Sequence, residues 1–548
     1  MKHPLNMVLP LSAALSLFLS GSVHAQQTVS RISVSTLGAQ GDAKSERPAV
    51  SLDGNFVAFQ SNASTIIPGD LNFVSDVMVR DITTGSVELI SVNTIGGFSN
   101  GPSERPAISS DGRYVAFASD ASNLVVGDVN FTRDVFLRDR TLGTTTLISK
   151  STLGIQGNGA STRPSISADG RYIVYRSAST NLLASFDLNS IIDDVFLYDT
   201  VTGVTELVSK DSLGIQGNNA SDRPAISGDG NLIVFWSDAT NLIAGDFNFA
   251  RDVFLHNRTT GVTSLVSQST AGVQGNGISS RPTISSDGTY IAYRSIASNL
   301  VAGDTNLFED VFLCEVASGI TTRVSVSSAG VQGNGLSSLP SLSTDGHLVA
   351  FRSLASNLSP ADTNFAEDVF VHDTTTGITT NISGASGGAQ GNGNSSRPSI
   401  SGDGALVAYQ SHATNLVAGD TNLVLDAFLW EDVPPPPPVN DTIVLAGPAT
   451  GLAGSQVTFT WDGASSSSNY WFLYSFSNTG FVFSGHQFDL GGVITPLGVG
   501  SNTVAGTGSW TSPPLPPSMI GIPIYFEVAA SPSPGVFEDS NFVNFTIL

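Results

Sequence analysis

The stretch from Arg281 to Val326, RPTISSDGTYIAYRSIASNLVAGDTNLFEDVFLCEVASGITTRVSV, holds four short apolar segments separated by turn signals. RPTIS leads to Asp287-Gly288, then YIAYRS, a polar loop, DVFLCE, a turn at Gly319, and TTRVSVS. Segments of this length, bounded by Gly, Asp, Asn and Ser, read as β-strands. The second segment is apolar on both faces, so it predicts a strand covered on both sides.

The same unit recurs. Arg-Pro stands at Arg47-Pro48, Arg105-Pro106, Arg163-Pro164, Arg223-Pro224, Arg281-Pro282 and Arg397-Pro398, with Leu339-Pro340 in the sixth place. The spacing is 58 residues throughout, except for 60 between Arg163 and Arg223. Each copy has an Asp-Gly pair, from Asp53-Gly54 to Asp403-Gly404, for which a type I′ hairpin is expected. Seven four-stranded antiparallel units with doubly buried middle strands predict a seven-bladed β-propeller. The ends agree: TVSRISVST (28–36) matches the fourth-strand signal, and the seventh copy stops after DAFLW (426–430). The first strand of the mature chain is therefore expected to complete the last blade, which leaves no free sheet edge.

These units resemble the WD-like, Pro- and Asp-rich propeller repeats of the TolB type, through the pattern SNLVxGDTNxxxDVFLxDxxTG as at Ser298 to Gly319. The resemblance spans about 28–433. It implies a propeller that is exported or periplasmic and serves as a binding platform. The TolB propeller has six blades, so its protein-docking role does not follow for seven copies.

Composition narrows the function. The chain has 548 residues, 46 acidic against 23 basic, a net charge of −23 and a charged fraction of 13%. Such acidity opposes nucleic acid or an anionic membrane face, whose affinity comes from Lys and Arg neutralising phosphates. A single Cys excludes a disulfide framework and thiolate metal clusters. Residues 1–25 carry Lys2, an apolar run and Val23-His24-Ala25, the pattern of a cleaved signal peptide. The run is too short and wrongly flanked for a membrane span, and a periplasmic or extracellular location is expected.

Strand parity puts every long loop on one face. Those loops carry a carboxylate pattern: Asp70, Asn72, Asp76; Asp128, Asn130, Asp134; Asp246, Asn248, Asp252; Asp304, Asn306, Asp310; Asp362, Asn364, Asp368; and Asp420, Asn422, Asp426. Two readings stand side by side. Oxygen ligands at alternate positions suit Ca²⁺. Alternatively, Asp and Asn form Asx turns, and each Arg before Pro pairs with an Asp of the same face. The third copy is irregular around Phe186, Asp187, Asn189, Asp193 and Asp194; together with Leu339 these symmetry-breaking positions are candidates for partner binding. Gln40, Gln156, Gln216, Gln274, Gln332 and Gln390 recur in interblade loops, where they are expected to bond backbone between blades. The glycine-rich loops there precede strands, so they read as turns and not as phosphate cradles.

Catalysis has little support. His256, His347, His372, His412 and His486 are scattered over different repeat positions, and Cys314 lies in a buried-strand signal. The leading expectation is a binding platform for a protein or glycan; an extracytoplasmic lyase or hydrolase at the channel mouth, and a calcium-stabilised structural protein, are the alternatives.

Five prolines at 434–438 predict an extended linker, 434–440, after a propeller spanning 26–433. Residues 441–548 alternate strand signals with Gly, Ser and Pro turns, which fits an immunoglobulin- or fibronectin-like β-sandwich. In that segment Trp461, Tyr470, Trp471 and Phe472 read as core, with an aromatic sugar platform as the other option.

Overall fold

The computed structural model describes residues 27–432, apart from 185–188, 190, 191 and 361, together with a set of backbone strands beyond 457. The chain divides into two compact units, the larger being Ala25–Val433. The sequence-derived signal peptide, Phe186, Asp187 and the proline linker lie outside the described residues.

The larger unit is a seven-bladed β-propeller. Blade 1 comprises Ser45–Val50, Phe56–Ser61, Asp76–Asp81 and Val87–Leu89, hydrogen-bonded in that order from inner to outer strand. Five further four-stranded sheets repeat this order. Blade 7 takes its inner three strands from Ser395–Ile400, Leu406–Ser411 and Asp426–Asp432, and its outer strand from Gln27–Arg31 at the start of the chain. The register runs from Gln27 opposite Asp432 to Arg31 opposite Phe428. No helix is present among the described residues, and none therefore is long and apolar enough to cross a membrane.

Doubly apolar strands need cover on both faces, and neighbouring blades supply it. One cluster joins Val77, Val79 and Ile90 of blade 1 to Val115, Phe117, Leu124 and Phe136 of blade 2. Ile32, directly after the outer strand of blade 7, packs with Val50 and Val57 of blade 1, which carries the same layering across the seam. Inside the blades, second and third strands meet through paired rings such as Phe117–Phe136 and Tyr409–Phe428, with centroids 5.9 and 6.0 Å apart. Offset ring pairs of this kind add roughly 0.5–1.5 kcal/mol beyond their buried area.

The Asp-Gly end closes independently. Backbone N–H groups of Asp53, Ser110, Ala168, Gly228, Asp287, Thr344 and Gly402 donate to the carbonyls of Ser110, Ala168, Gly228, Ser286, Thr344, Gly402 and Leu52, at 2.8–3.1 Å. Each blade thus bonds the next, and the last bonds the first. The approach is close: a Cβ on Gly402 would stand 2.5 Å from Thr344 Oγ1 and 2.7 Å from the Leu52 carbonyl oxygen.

The hairpins beside this ring differ from the expected type I′. Gly54 takes φ +75°, but Asp53 is not in the left-handed region that type I′ also requires of it. The turn is wider, closed by Ser51 N–H to the Phe56 carbonyl at 2.9 Å. The Asp53 carboxylate organises it by accepting from Ser51 Oγ and from the Asn55 N–H. An aspartate already bonded to its own turn has no need of positive φ, so glycine alone takes it.

In the second unit, Thr458–Asp462 pairs with Thr507–Thr511. Asn469–Ser475 lies between Thr495–Ser501 and Pro523–Ser533 in a five-stranded sheet. The sandwich packing expected there, and the side chains of Trp461, Tyr470, Trp471, Phe472 and His486, lie outside the described residues.

Candidate functional site: an axial ring of arginines

Each first strand carries its Arg-Pro pair at a break in the ladder. In blade 1 the partners jump from Glu46–Gln60 to Ala49–Ala58, skipping Arg47 and Pro48. The other six first strands break at the same place. Proline has no N–H for a ladder, and a bulge re-aims the side chain beside it. The residue before each proline sits in the left-handed region, with φ between 52° and 57° for the six arginines and 56° for Leu339. For a bulky side chain this conformation costs roughly 1–3 kcal/mol, and such strain concentrates at functional sites.

The neighbouring blade secures two of these strained backbones: Arg47 N–H donates to Gln410 Oε1 at 3.0 Å, and Arg105 N–H to Gln60 Oε1 at 2.9 Å. The result is a cavity of about 300 Å³ on the axis, lined by all seven pairs. Six positions present arginine and the seventh presents Leu339.

The sequence expectation that each of these arginines pairs with an aspartate fails. Only Arg163 does so, with Asp222 at 3.3 Å, and Asp222 also receives Arg176 at 3.5 Å. Among the described residues Arg47, Arg105, Arg223, Arg281 and Arg397 make no ion pair within 4 Å. Nε and Nη1 of Arg281 are buried without any hydrogen-bond partner. Four carboxylates serve other cations instead: Glu46 takes Lys44, Glu104 takes Arg133, Glu309 takes Arg294 and Glu367 takes Arg352. Burial, then mutual repulsion, pushes Arg47 and Arg105 down to about 10, Arg281 to about 9 and Arg223 to about 8. Guanidinium keeps its proton in proteins, so the direction marks buried cationic charge that Glu46, Glu104 and Asp222 offset only in part.

The carboxylates of the long loops are engaged elsewhere. In blade 2, Asp134 accepts Ser149 Oγ at 2.5 Å, Asn130 Nδ2 at 2.8 Å and Gln156 Nε2 at 2.9 Å, while Gln156 also donates to Asp128 at 2.7 Å. Gln274, Gln332, Gln390 and Gln40 repeat this on Asp246 and Asp252, Asp304 and Asp310, Asp362 and Asp368, and Asp420 and Asp426. The glutamines therefore hold carboxylates as well as the backbone expected for them; Val129 N–H donates to Gln156 Oε1 at 3.1 Å. Blade 1 has Phe98 where the other copies have Gln, and there Ser99 Oγ reaches Asp76 at 3.0 Å in its place. Asn72 bonds the same Asp76 at 2.8 Å and takes the Asp70 side chain as acceptor for its own N–H at 3.3 Å. Asn248, Asn306, Asn364 and Asn422 each donate to the aspartate four residues on. Arg323 and Arg31 add charge to Asp304 with Asp310 and to Asp420 with Asp426, at 3.5–3.7 Å. Among the described residues no three His, Cys, Asp or Glu side chains group closely enough to hold a metal ion.

Of the irregular third copy, Asp193 pairs with Arg176 at 3.0 Å, Asp194 accepts Ser209 Oγ at 2.7 Å, and Asn189 Nδ2 donates to the Gly217 carbonyl at 3.1 Å. The histidines do not converge on a centre: Nδ1 of His256 and of His372 each sits 2.9 Å from a threonine Oγ1 of its own blade, and His347 meets Thr374. Burial pushes the Cys314 thiol up, so it is held as an inert thiol.

The loops joining second and third strands expose large apolar tips. Phe73, Phe131, Phe249, Leu307, Phe365 and Leu423 are 77–90% exposed, all at φ between 52° and 60°. Sequence reading passed over both this set and the arginine ring. The signal available was an arginine repeated at one place in every innermost strand but one, beside a proline that cannot join the ladder.

No protein-family model and no curated protein matches the chain. Among solved structures, a protein described as TolB from Agrobacterium tumefaciens matches at 18% identity and TM-score 0.33, over 51% of this chain and 80% of that one. The WD40 repeats of RRP9 match at 10% and 0.38, over 74% and 97%, and a puromycin-hydrolysing peptidase of Mycobacterium tuberculosis at 11% and 0.42, over 79% and 61%. The seven-bladed architecture rests on the strand order and register above.

Proposed function

We propose that the protein is an exported, non-enzymatic binding platform of the TolB-like kind that holds a protein partner against its long-loop face. One observation carries this reading: six loops hold a large apolar side chain in water and in left-handed backbone at once. Each condition is unfavourable in a free monomer, and together they cost a few kcal/mol per loop by order of magnitude. An apolar tip held out in water at the same place in six blades is the kind of exposure that marks an interaction surface. Leu307 and Leu423 stand where four other blades have Phe, and an aliphatic tip offers no stacking face to a sugar, which favours protein over glycan.

The test is a triple variant of the mature full chain, Phe131→Ser, Phe249→Ser and Phe365→Ser, used as bait against extracytoplasmic proteins of the source cell beside the wild type. Melting is expected to be unchanged or raised, and the specific prey to be lost. Prey retained in full by the triple variant refutes the reading.

A further inference from the structure

We propose that the axial arginine ring is a binding site for a small, multiply charged oxyanion, a tri- or dicarboxylate or a di- or triphosphate group. The site is distinct from the apolar loop tips, and the inference does not rest on them.

Three observations converge. Six arginines line one cavity of about 300 Å³, the lower end of the size range of small-molecule pockets. Five of them lack an ion pair, although the chain carries twice as many acidic as basic residues and places carboxylates on Lys44, Arg133, Arg294 and Arg352 nearby. Buried donors on Arg281 are left unpartnered. A buried donor without an acceptor is costly, and like charges gathered without counter-charge are costlier. Guanidinium forks match carboxylate and phosphate oxygens two at a time, so an oxyanion on the axis satisfies several arginines together.

Size and net charge select the ligand further. The overall charge of −23 repels a long polyanion from the outer surface, whereas a small anion entering the cavity meets mainly the ring. At the Asp-Gly end the circuit of backbone hydrogen bonds ties each blade to the next, which fixes the spacing of the strands that carry the ring. Leu339 breaks the ring at one point and shows that an uncharged side chain fits the same strained position, with φ 56°. That gives a substitution the backbone already tolerates.

The experiment titrates the mature full chain with benzene-1,3,5-tricarboxylate and, separately, pyrophosphate, against acetate at matched ionic strength, by calorimetry and by thermal shift. Both polyanions are expected to bind and to raise the melting temperature, since a ligand specific for the native state stabilises by mass action. The two arms distinguish carboxylate from phosphate preference. Arg281→Leu is expected to weaken binding roughly tenfold or more, the worth of one charge-assisted contact, while raising melting without ligand. Leu339→Arg, which completes the ring, is expected to do the opposite on both counts. The Phe131→Ser, Phe249→Ser, Phe365→Ser variant is expected to bind the anions normally, so failure of this site and failure of the loop surface are separable. Polyanions that act no more strongly than acetate, or Arg281→Leu and Leu339→Arg variants with wild-type affinity, overturn the proposal.

Discussion

Replacing Ile32 by alanine tests how firmly the ring is shut. Ile32 follows the strand that completes blade 7; its N–H donates to Ala427 at 2.9 Å, and it is 1% exposed among Val50, Val57, Ala408 and Leu429. Ile148 occupies the matching place in blade 2, donating to Val135 at 2.8 Å and 0% exposed. Ile148 follows a strand joined to its blade by a turn, and Ile32 follows a strand held to its blade only by pairing and packing. If the closing strand is as well seated as an internal one, Ile32→Ala and Ile148→Ala each cost about 2–5 kcal/mol and agree within about 1 kcal/mol, since both delete the same buried volume. If the strand can peel away cheaply, the cost of Ile32→Ala is capped at the cost of peeling. Urea unfolding of the two variants, with hydrogen exchange of the Ala427–Trp430 amides to report local opening, separates the cases. An Ile32→Ala cost below about 1 kcal/mol beside a full cost for Ile148→Ala refutes the closed ring.

Other outcomes follow from named groups. Burial pushes Asp134 up to about 6, above the 3.8 of an exposed aspartate, and moves Asp76, Asp252, Asp310, Asp368 and Asp426 in the same direction. The folded state then binds these protons more tightly than the unfolded one, so stability is present below about 4 and is lost as pH rises through about 6. Asp139 and Asp199, held down first by Arg113 and Arg171, act oppositely and lose their contribution as pH falls below the ordinary aspartate value. Melting is expected to be higher at pH 5.5 than at pH 8 at fixed salt; the reverse order contradicts the assignment. Phe249→Gly removes a bulky residue from φ 52° and is expected to stabilise by about 1 kcal/mol, against the usual loss on introducing glycine; a destabilisation in thermal melts counts against strain at that loop. Because amide and hydroxyl donors already occupy the loop aspartates, excess chelator is expected to leave the melting temperature within about 2 °C of the calcium-loaded value, and a larger fall would establish a metal site.

The architecture was legible because the chain writes it repeatedly. The 58-residue spacing of Arg-Pro gives blade number, the doubly apolar YIAYRS segments give buried strands, and the orphan TVSRISVST gives the closure. What escaped was direction. An arginine before proline looks like an ion-pair partner in one dimension, and only the bulge at Glu46 to Ala49, with its left-handed residue, turns it toward the axis. For the loop aspartates the sequence left two readings side by side, turn-forming and calcium-binding. Spacing shows carboxylates that could gather a cation, but the competing donors, such as Gln156 and Ser149, come from 15 to 28 residues further along and are invisible to a local motif. Likewise the exposure of Phe73 or Phe131 is a property of turn geometry, since the same residues in a strand would read as core.

The seam in blade 7 has a consequence for how the molecule comes into being. A polypeptide leaves the ribosome amino end first, so Gln27–Arg31 is made early while its partner Asp426–Asp432 is the last part of the propeller. In between, six blades can zip in order, yet both flanks of the growing arc stay open, each an unpaired edge inviting a neighbouring chain. The interval before the circle shuts is therefore the vulnerable moment of this protein's life, and its length is set by the rate of delivery, not by the stability of the finished ring.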